Sequence, residues 1–193
     1  FQKCCHFSSS HLMGTKSELH NRMKELSQRL QKQVPFYPQS YYPPDDYEEL
    51  LEAWPKHKYW IIKAPALSRA REIRVASSEE EKAPMLPYVV EEYITPPYLI
   101  TGRKFDIRLY AVITSINPLT VYYHRQGLCL FAVHQYNDDD THLNDLQMHL
   151  TNYEINKNSE LFVECSDETS EKVENSKWSL PFLWKYFDDI GVD

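Results

Sequence analysis

Four short stretches of this sequence join charged side chains to apolar runs, the pattern of strands that end at a site. The first is Trp60-Ile61-Ile62-Lys63, followed by Ser68-Arg69-Ala70-Arg71-Glu72-Ile73. A lysine that ends a buried strand can reach a phosphate as a point charge, and arginines beyond it can add bidentate contacts. A solvent-facing basic loop is the plainer alternative. The second is Val90-Glu91-Glu92-Tyr93-Ile94. A strand leaving the core there could offer backbone groups to a purine edge, or its carboxylates could simply be solvated.

The third stretch is Gly102-Arg103-Lys104-Phe105-Asp106-Ile107-Arg108-Leu109-Tyr110. Strand side chains alternate, so Lys104, Asp106 and Arg108 share one face, opposite Phe105 and Ile107. They form either an ion-pair ladder or the polar wall of a nucleotide cleft. The fourth is Met148-His149-Leu150-Thr151-Asn152-Tyr153-Glu154-Ile155-Asn156-Lys157. Its short threonine and asparagine suit a phosphate or a metal-bound water; a turn is the plain alternative. The eight histidines have no ligand-like spacing. No HExxH, Cys/His cluster, Walker loop, GxGxxG or Ser/His/Asp arrangement is visible, so no metal ligand is assigned. Asp138–Asp140 reads as a solvating run.

Composition narrows the field. At 193 residues, 42% hydrophobic and 25% charged, the chain reads as one folded domain or a piece of a larger one. The balance of 21 basic against 28 acidic residues leaves −7, a poor match to nucleic acid. No apolar run reaches the roughly 18 residues of a membrane span, so no membrane partner is expected. The four cysteines contain no CxxC pair, which argues against a disulfide framework and for a reducing compartment. The chain opens on Phe1 with no visible signal peptide, and it is expected to be a fragment.

The elements that must position these groups are legible in part. Thr15 and Glu18 predict a capping box, and Leu19, Met23, Leu26 and Leu30 predict an amphipathic helix over residues 16–33. Its polar face is basic. A short helix is expected around Asp46–Trp54, and strands at Tyr59–Lys63 and Tyr88–Ile94. Residues 64–74 read as an arginine-rich loop, and 76–84 as an exposed acidic connection. Phe105 to Ile113 alternates with period two. Pro118 marks a turn, and Val121–Tyr123 with Leu128–Phe131 predicts a hairpin around Gln126-Gly127. Residues 137–147 and 166–176 read as polar loops. Ser179 predicts the cap of a last helix, with Pro181 in its first turn. Strands interspersed with helices make a mixed α+β domain.

Taken together, these stretches resemble the tubulin tyrosine ligase-like family. The resemblance is carried by Trp60–Lys63, Glu92–Tyr110 and His149–Lys157. Phe36-Tyr37-Pro38-Gln39-Ser40-Tyr41 and Lys177-Trp178-Ser179-Leu180-Pro181-Phe182 resemble the polyglutamylase branch. It implies an ATP-grasp-like fold, here incomplete, with the C-terminal metal-binding part absent. Residues 1–193 would be a partial tubulin tyrosine ligase-like domain. It implies ATP-dependent joining of free glutamate to glutamate side chains of acidic tubulin tails, through an acyl-phosphate. It also implies microtubules as partners and a place in the cytoplasm and cytoskeleton, with cilium or basal body as candidates. By the same resemblance Lys63, Arg69, Ala70, Glu91, Glu92, Tyr93, Ile94, Lys104, Asp106, Thr151 and Asn152 contact ATP. Arg108 is the catalytic arginine beside the phosphates. Leu130, Tyr153, Glu154 and Lys177 lie near the incoming amino acid. Mg2+ is implied, with its ligands expected downstream of this chain.

The departures bear on activity. The family has Arg-Gly-x-Gly-Ile where this chain has Arg69-Ala70-Arg71-Glu72-Ile73, and glycine permits a positive φ and close approach to phosphate. Leu130 stands where an arginine is expected to bind the glutamate carboxylate. Glu154 replaces a serine and adds negative charge. The metal-binding Asp and the Glu-x-Asn motif have no match up to Asp193. The chain is therefore expected to be inactive by itself. A catalytically dead protein that binds tubulin or microtubules is the alternative. A ligase for glycine or another amino acid is a weaker third reading.

Overall fold

The computed structural model describes residues 6–66, 72–164 and 172–192. Two compact units emerge, Phe1–Pro96 with Asp139–Asn144, and Pro97–Asp138 with Asp145–Asp193. Both mix helix and sheet, as the alternation of patterns predicts.

The first unit is built on a four-stranded antiparallel sheet in the order β1 (Ser40–Tyr41), β4 (Val89–Glu92), β2 (Tyr59–Lys63), β3 (Ile73–Ser77). Its register lines up Tyr41, Val90, Ile62 and Arg74 in one row, and Ser40, Glu91, Ile61 and Val75 in the next. Directly paired residues share a face, so these two rows look in opposite directions. The Val90–Ile62 face packs on α2 (Tyr47–Ala53): Leu50, Ala53 and Trp54 meet Tyr41, Trp60, Ile62 and Ala76. Trp54 and Trp60 stack with ring centroids 5.3 Å apart. The Ser40–Glu91 face meets α1 (Lys16–Leu30), through His20 and Ser40.

Helix α1 begins where the sequence predicts, but not for the predicted reason. Thr15 is its N-cap, yet the side chain makes no capping bond, and its hydroxyl is buried without a partner. The Lys16 N–H instead donates to the Pro65 carbonyl at 3.1 Å. The buried residue of this helix is His20, whereas Leu30 of the expected apolar stripe is 49% exposed. The supposed loop at 64–74 also runs into a strand, because β3 pairs antiparallel with β2 from Lys63↔Ile73 to Tyr59↔Ser77.

The second unit holds a three-stranded antiparallel sheet in the order β5 (Phe105–Arg108), β8 (Leu128–Phe131), β9 (Lys177–Ser179), and a separate hairpin of β6 (Ala111–Ile116) and β7 (Leu119–Tyr123). The expected hairpin of 121–123 with 128–131 does not form. The turn at Asn117-Pro118 folds β7 back on β6, and β8 pairs with β5 and β9. Gly127 serves close approach instead, since a Cβ there would lie 2.5 Å from the Arg108 carbonyl oxygen. The long alternation from Phe105 is broken at Leu109-Tyr110 into two strands. The polar run 137–147 is not only loop: a 3-10 turn spans Asp140–His142, and α3 begins at Leu146 and ends at His149.

Helix α5 (Leu180–Ile190) follows its sequence signals closely. Ser179 accepts a bond from the Phe182 N–H at 3.2 Å, Pro181 sits in the first turn, and Gly191 closes the end at φ 72°. Leu180 and Leu183 pack with Ile100, Cys129, Phe131 and Trp178. One face of the sheet is thereby covered, and Asp106, Leu130 and Lys177 form a row on the other.

Candidate functional site

In the first unit, β2 delivers Lys63 as its last residue and β4 carries Glu91. Ile61 pairs with Glu91 and Lys63 with Val89, so Lys63 and Glu91 are diagonal neighbours on one face. They form an ion pair with the side chains 23% and 11% exposed. Lys16 is close enough for its ammonium to respond to both: burial lowers its pKa most, the Lys63 charge lowers it further, and Glu91 opposes. Along β4, the Glu92 N–H donates to the Gln39 carbonyl at 2.8 Å, and the Tyr93 N–H to the Tyr59 carbonyl at 3.1 Å. Those two backbone donors are thus occupied by the sheet, and Ile94 is exposed beyond them. Glu92 also lies 3.2 Å from His57 Nδ1.

Arg69 and Ala70 lie outside the described residues. Glu72 is described, and it holds φ 54°. The backbone thus keeps, without a glycine, the left-handed conformation that the family's glycine would supply freely, at a cost of about 1 kcal/mol. Its carbonyl accepts from the Ala64 N–H at 3.1 Å, one residue beyond Lys63.

In the second unit, the polar face of the β5–β8–β9 sheet faces residues 149–151. Lys104 Nζ donates to the His149 carbonyl at 3.1 Å, and Thr151 Oγ1 donates to Asp106 Oδ2 at 2.6 Å. Of the two readings left open for Lys104, Asp106 and Arg108, the ion-pair ladder does not form; these bonds go to residues 149–151 instead. Arg108 is exposed and has no partner among the described residues. Asn152 is the N-cap of α4 (Tyr153–Asn156) but makes no side-chain capping bond. Tyr153 and Glu154 follow on the exposed first turn. Glu154 pairs with Lys157 at 2.7 Å, which offsets part of the negative charge it introduces. Leu130 lies between Asp106 and Lys177 in the sheet register, an apolar residue flanked by opposite charges.

Other groups had no local signal in the sequence. His20 Nε2 donates to Asp46 Oδ2 at 2.7 Å, and its Nδ1 lies 2.8 Å from Ser40 Oγ. A Ser/His/Asp chain therefore exists, assembled from α1, β1 and the turn before α2. Asp46 is also bonded by Lys24 and by the Tyr42 N–H, and both ring nitrogens of the 2%-exposed His20 are engaged, so the chain braces α1 against the sheet. Arg103 donates to the Val173 carbonyl at 3.0 Å and lies over the Phe131 ring at 4.7 Å. Asp140, read as solvating, instead takes an ion pair from Lys58 at 3.0 Å and a bond from the Tyr59 hydroxyl. Those two bonds hold its carboxyl below the usual carboxylate value. Among the described residues no group of three His, Cys, Asp or Glu side chains could hold a metal ion.

Comparison with known proteins places these features in context. The chain matches the tubulin-tyrosine ligase family over residues 1–193. It is 35% identical over 195 residues to the tubulin monoglutamylase TTLL4 of Mus musculus, covering 100% of this chain and 16% of that protein. It is 34% identical over 194 residues to the tubulin polyglutamylase ttll-4 of Caenorhabditis elegans, covering 100% of this chain and 31% of that protein. The tubulin polyglutamylase TTLL5 of Mus musculus is 32% identical over 194 residues, covering 100% of this chain and 14% of that protein. This chain therefore spans well under half the length of each.

Proposed function

Because the chain belongs to the tubulin-tyrosine ligase family, whose fold is ATP-grasp-like, we propose that it carries part of the machinery for ATP-dependent joining of glutamate to glutamate side chains in tubulin's acidic tails. The observation that carries this reading is the polar face of the second sheet. Lys104 and Asp106 are held there by residues 149–151, and Arg108 beside them is exposed. Cations fixed in advance stabilise a developing phosphoryl charge without reorganising.

In this reading Lys63, Arg69, Lys104 and Arg108 offset the charge of the triphosphate. Ala70 and Glu91–Ile94 border the nucleotide, and Asp106, Thr151 and Asn152 orient it. Arg108 faces the transferring group. Leu130, Tyr153, Glu154 and Lys177 surround the incoming glutamate, with Lys177 as the cation of that set. ATP would supply the phosphoryl group that activates the acceptor carboxylate. Among the described residues no group of three His, Cys, Asp or Glu side chains could hold magnesium. A tubulin substrate implies association with microtubules and the cytoskeleton. No described helix is long and apolar enough to cross a membrane.

The test is incorporation of labelled glutamate into purified tubulin by the protein with ATP and magnesium, beside an Arg108→Ala variant. Incorporation that the variant loses supports the ligase. A second reading is favoured by the engagement of Lys63 with Glu91 and by uncharged Leu130: a catalytically dead tubulin-binding protein. Co-sedimentation with microtubules but no incorporation identifies that reading, and neither activity removes both.

A further inference from the structure

The ion pair of Lys63 and Glu91 bears on how tightly the chain can hold a nucleotide, and the inference drawn from it rests on the nucleotide reading above. We propose that Glu91 sets nucleotide affinity against binding: it occupies the Lys63 ammonium and must release it before a phosphate can take its place.

The register makes the pairing a property of the sheet rather than of one rotamer. Glu91 is the direct partner of Ile61, two residues before Lys63 on β2, so both side chains leave the sheet on the same face. That face is the one met by α1, whose Lys16 N–H bonds the Pro65 carbonyl just beyond Lys63. With the side chains only 23% and 11% exposed, solvent weakens the pair less than it would at an open surface. Lys16, Lys63 and Glu91 sum to one positive charge, and a neutral residue at position 91 would raise the sum to two. An incoming triphosphate therefore meets a competitor for Lys63 and a like charge in the same side chain. Both effects act in one direction.

The experiment measures ATP affinity of the chain for the wild type, Lys63→Gln, Glu91→Gln and Glu91→Ala, each checked for folding by its thermal midpoint. Lys63→Gln should weaken binding by about tenfold or more, the scale of one charge-assisted bond. Glu91→Gln should tighten it by roughly three- to tenfold and steepen its salt dependence, and Glu91→Ala should do the same. Should Lys63→Gln weaken binding while both Glu91 variants leave it unchanged or weaker, the proposal is overturned and the nucleotide reading stands. If Lys63→Gln has no effect, Lys63 does not meet the nucleotide and the proposal is overturned; if ATP does not bind the wild type, the nucleotide reading itself fails.

Discussion

Lys63 and Arg108 each end a strand of an antiparallel sheet, yet one is held and the other is not. Lys63 leaves a sheet with helices on both faces, where a lone ammonium would be costly, and Glu91 answers it. Arg108 leaves a sheet whose apolar face is covered by α5; on the polar face residues 149–151 engage Lys104 and Asp106, but Arg108 stays exposed without a partner among the described residues. Similar local sequence thus produces a committed charge in one unit and an available one in the other. What lies opposite each side chain, not its place at a strand end, decides which cation is already engaged.

The contrast breaks most readily at the packed face of the second sheet. Trp178, 2% exposed, should lose about 3–5 kcal/mol of stability on Trp178→Ala in denaturant titration. Ile107, 41% exposed two strands away in the same row, should lose under about 1 kcal/mol on Ile107→Ala. Equal losses would mean that this face is not the packed one.

In the first unit, Asp46→Asn should cost about 3 kcal/mol, because it removes the one carboxylate bonded to buried His20 and leaves Lys24 with Glu49 alone. Burial works against ionising Asp46, but the bonds from His20, Lys24 and the Tyr42 N–H outweigh it, so its carboxyl sits well below the ordinary 3.8. Ionised Asp46 therefore adds stability above pH 3.8, and that contribution drains away as pH falls from there toward the lower folded value. The variant should show a flatter acid arm in a stability–pH profile; an unchanged arm would discard the brace.

The exposed site gives smaller effects. Lys104→Ala should weaken ATP binding by roughly tenfold, against no more than about twofold for Lys32→Ala on α1. Matching, negligible effects would remove Lys104 from the nucleotide. Least of all, Glu72→Gly should relieve the positive φ and raise stability by at most about 1 kcal/mol. A loss of stability in thermal melting would show that the left-handed turn is not strained.

Local physics made much of this chain legible before any tertiary contact was considered. Tyr59–Lys63 is a strand because its aromatic and β-branched run fits a pleated surface, and α5 starts at Ser179 because the cap and Pro181 need only their own neighbours. The motif residues at Lys63, Lys104–Tyr110 and His149–Lys157 were enough to identify the family, since residue order along the chain is read without any tertiary contact. Partnership was a different matter. Whether β7 pairs with β6 or β8, whether Asp140 is solvated or bound to Lys58, and whether Lys63 waits for a phosphate or is held by Glu91 all depend on residues far away in sequence. A sequence pattern reports which face a side chain takes; only the folded chain decides what lies opposite that face.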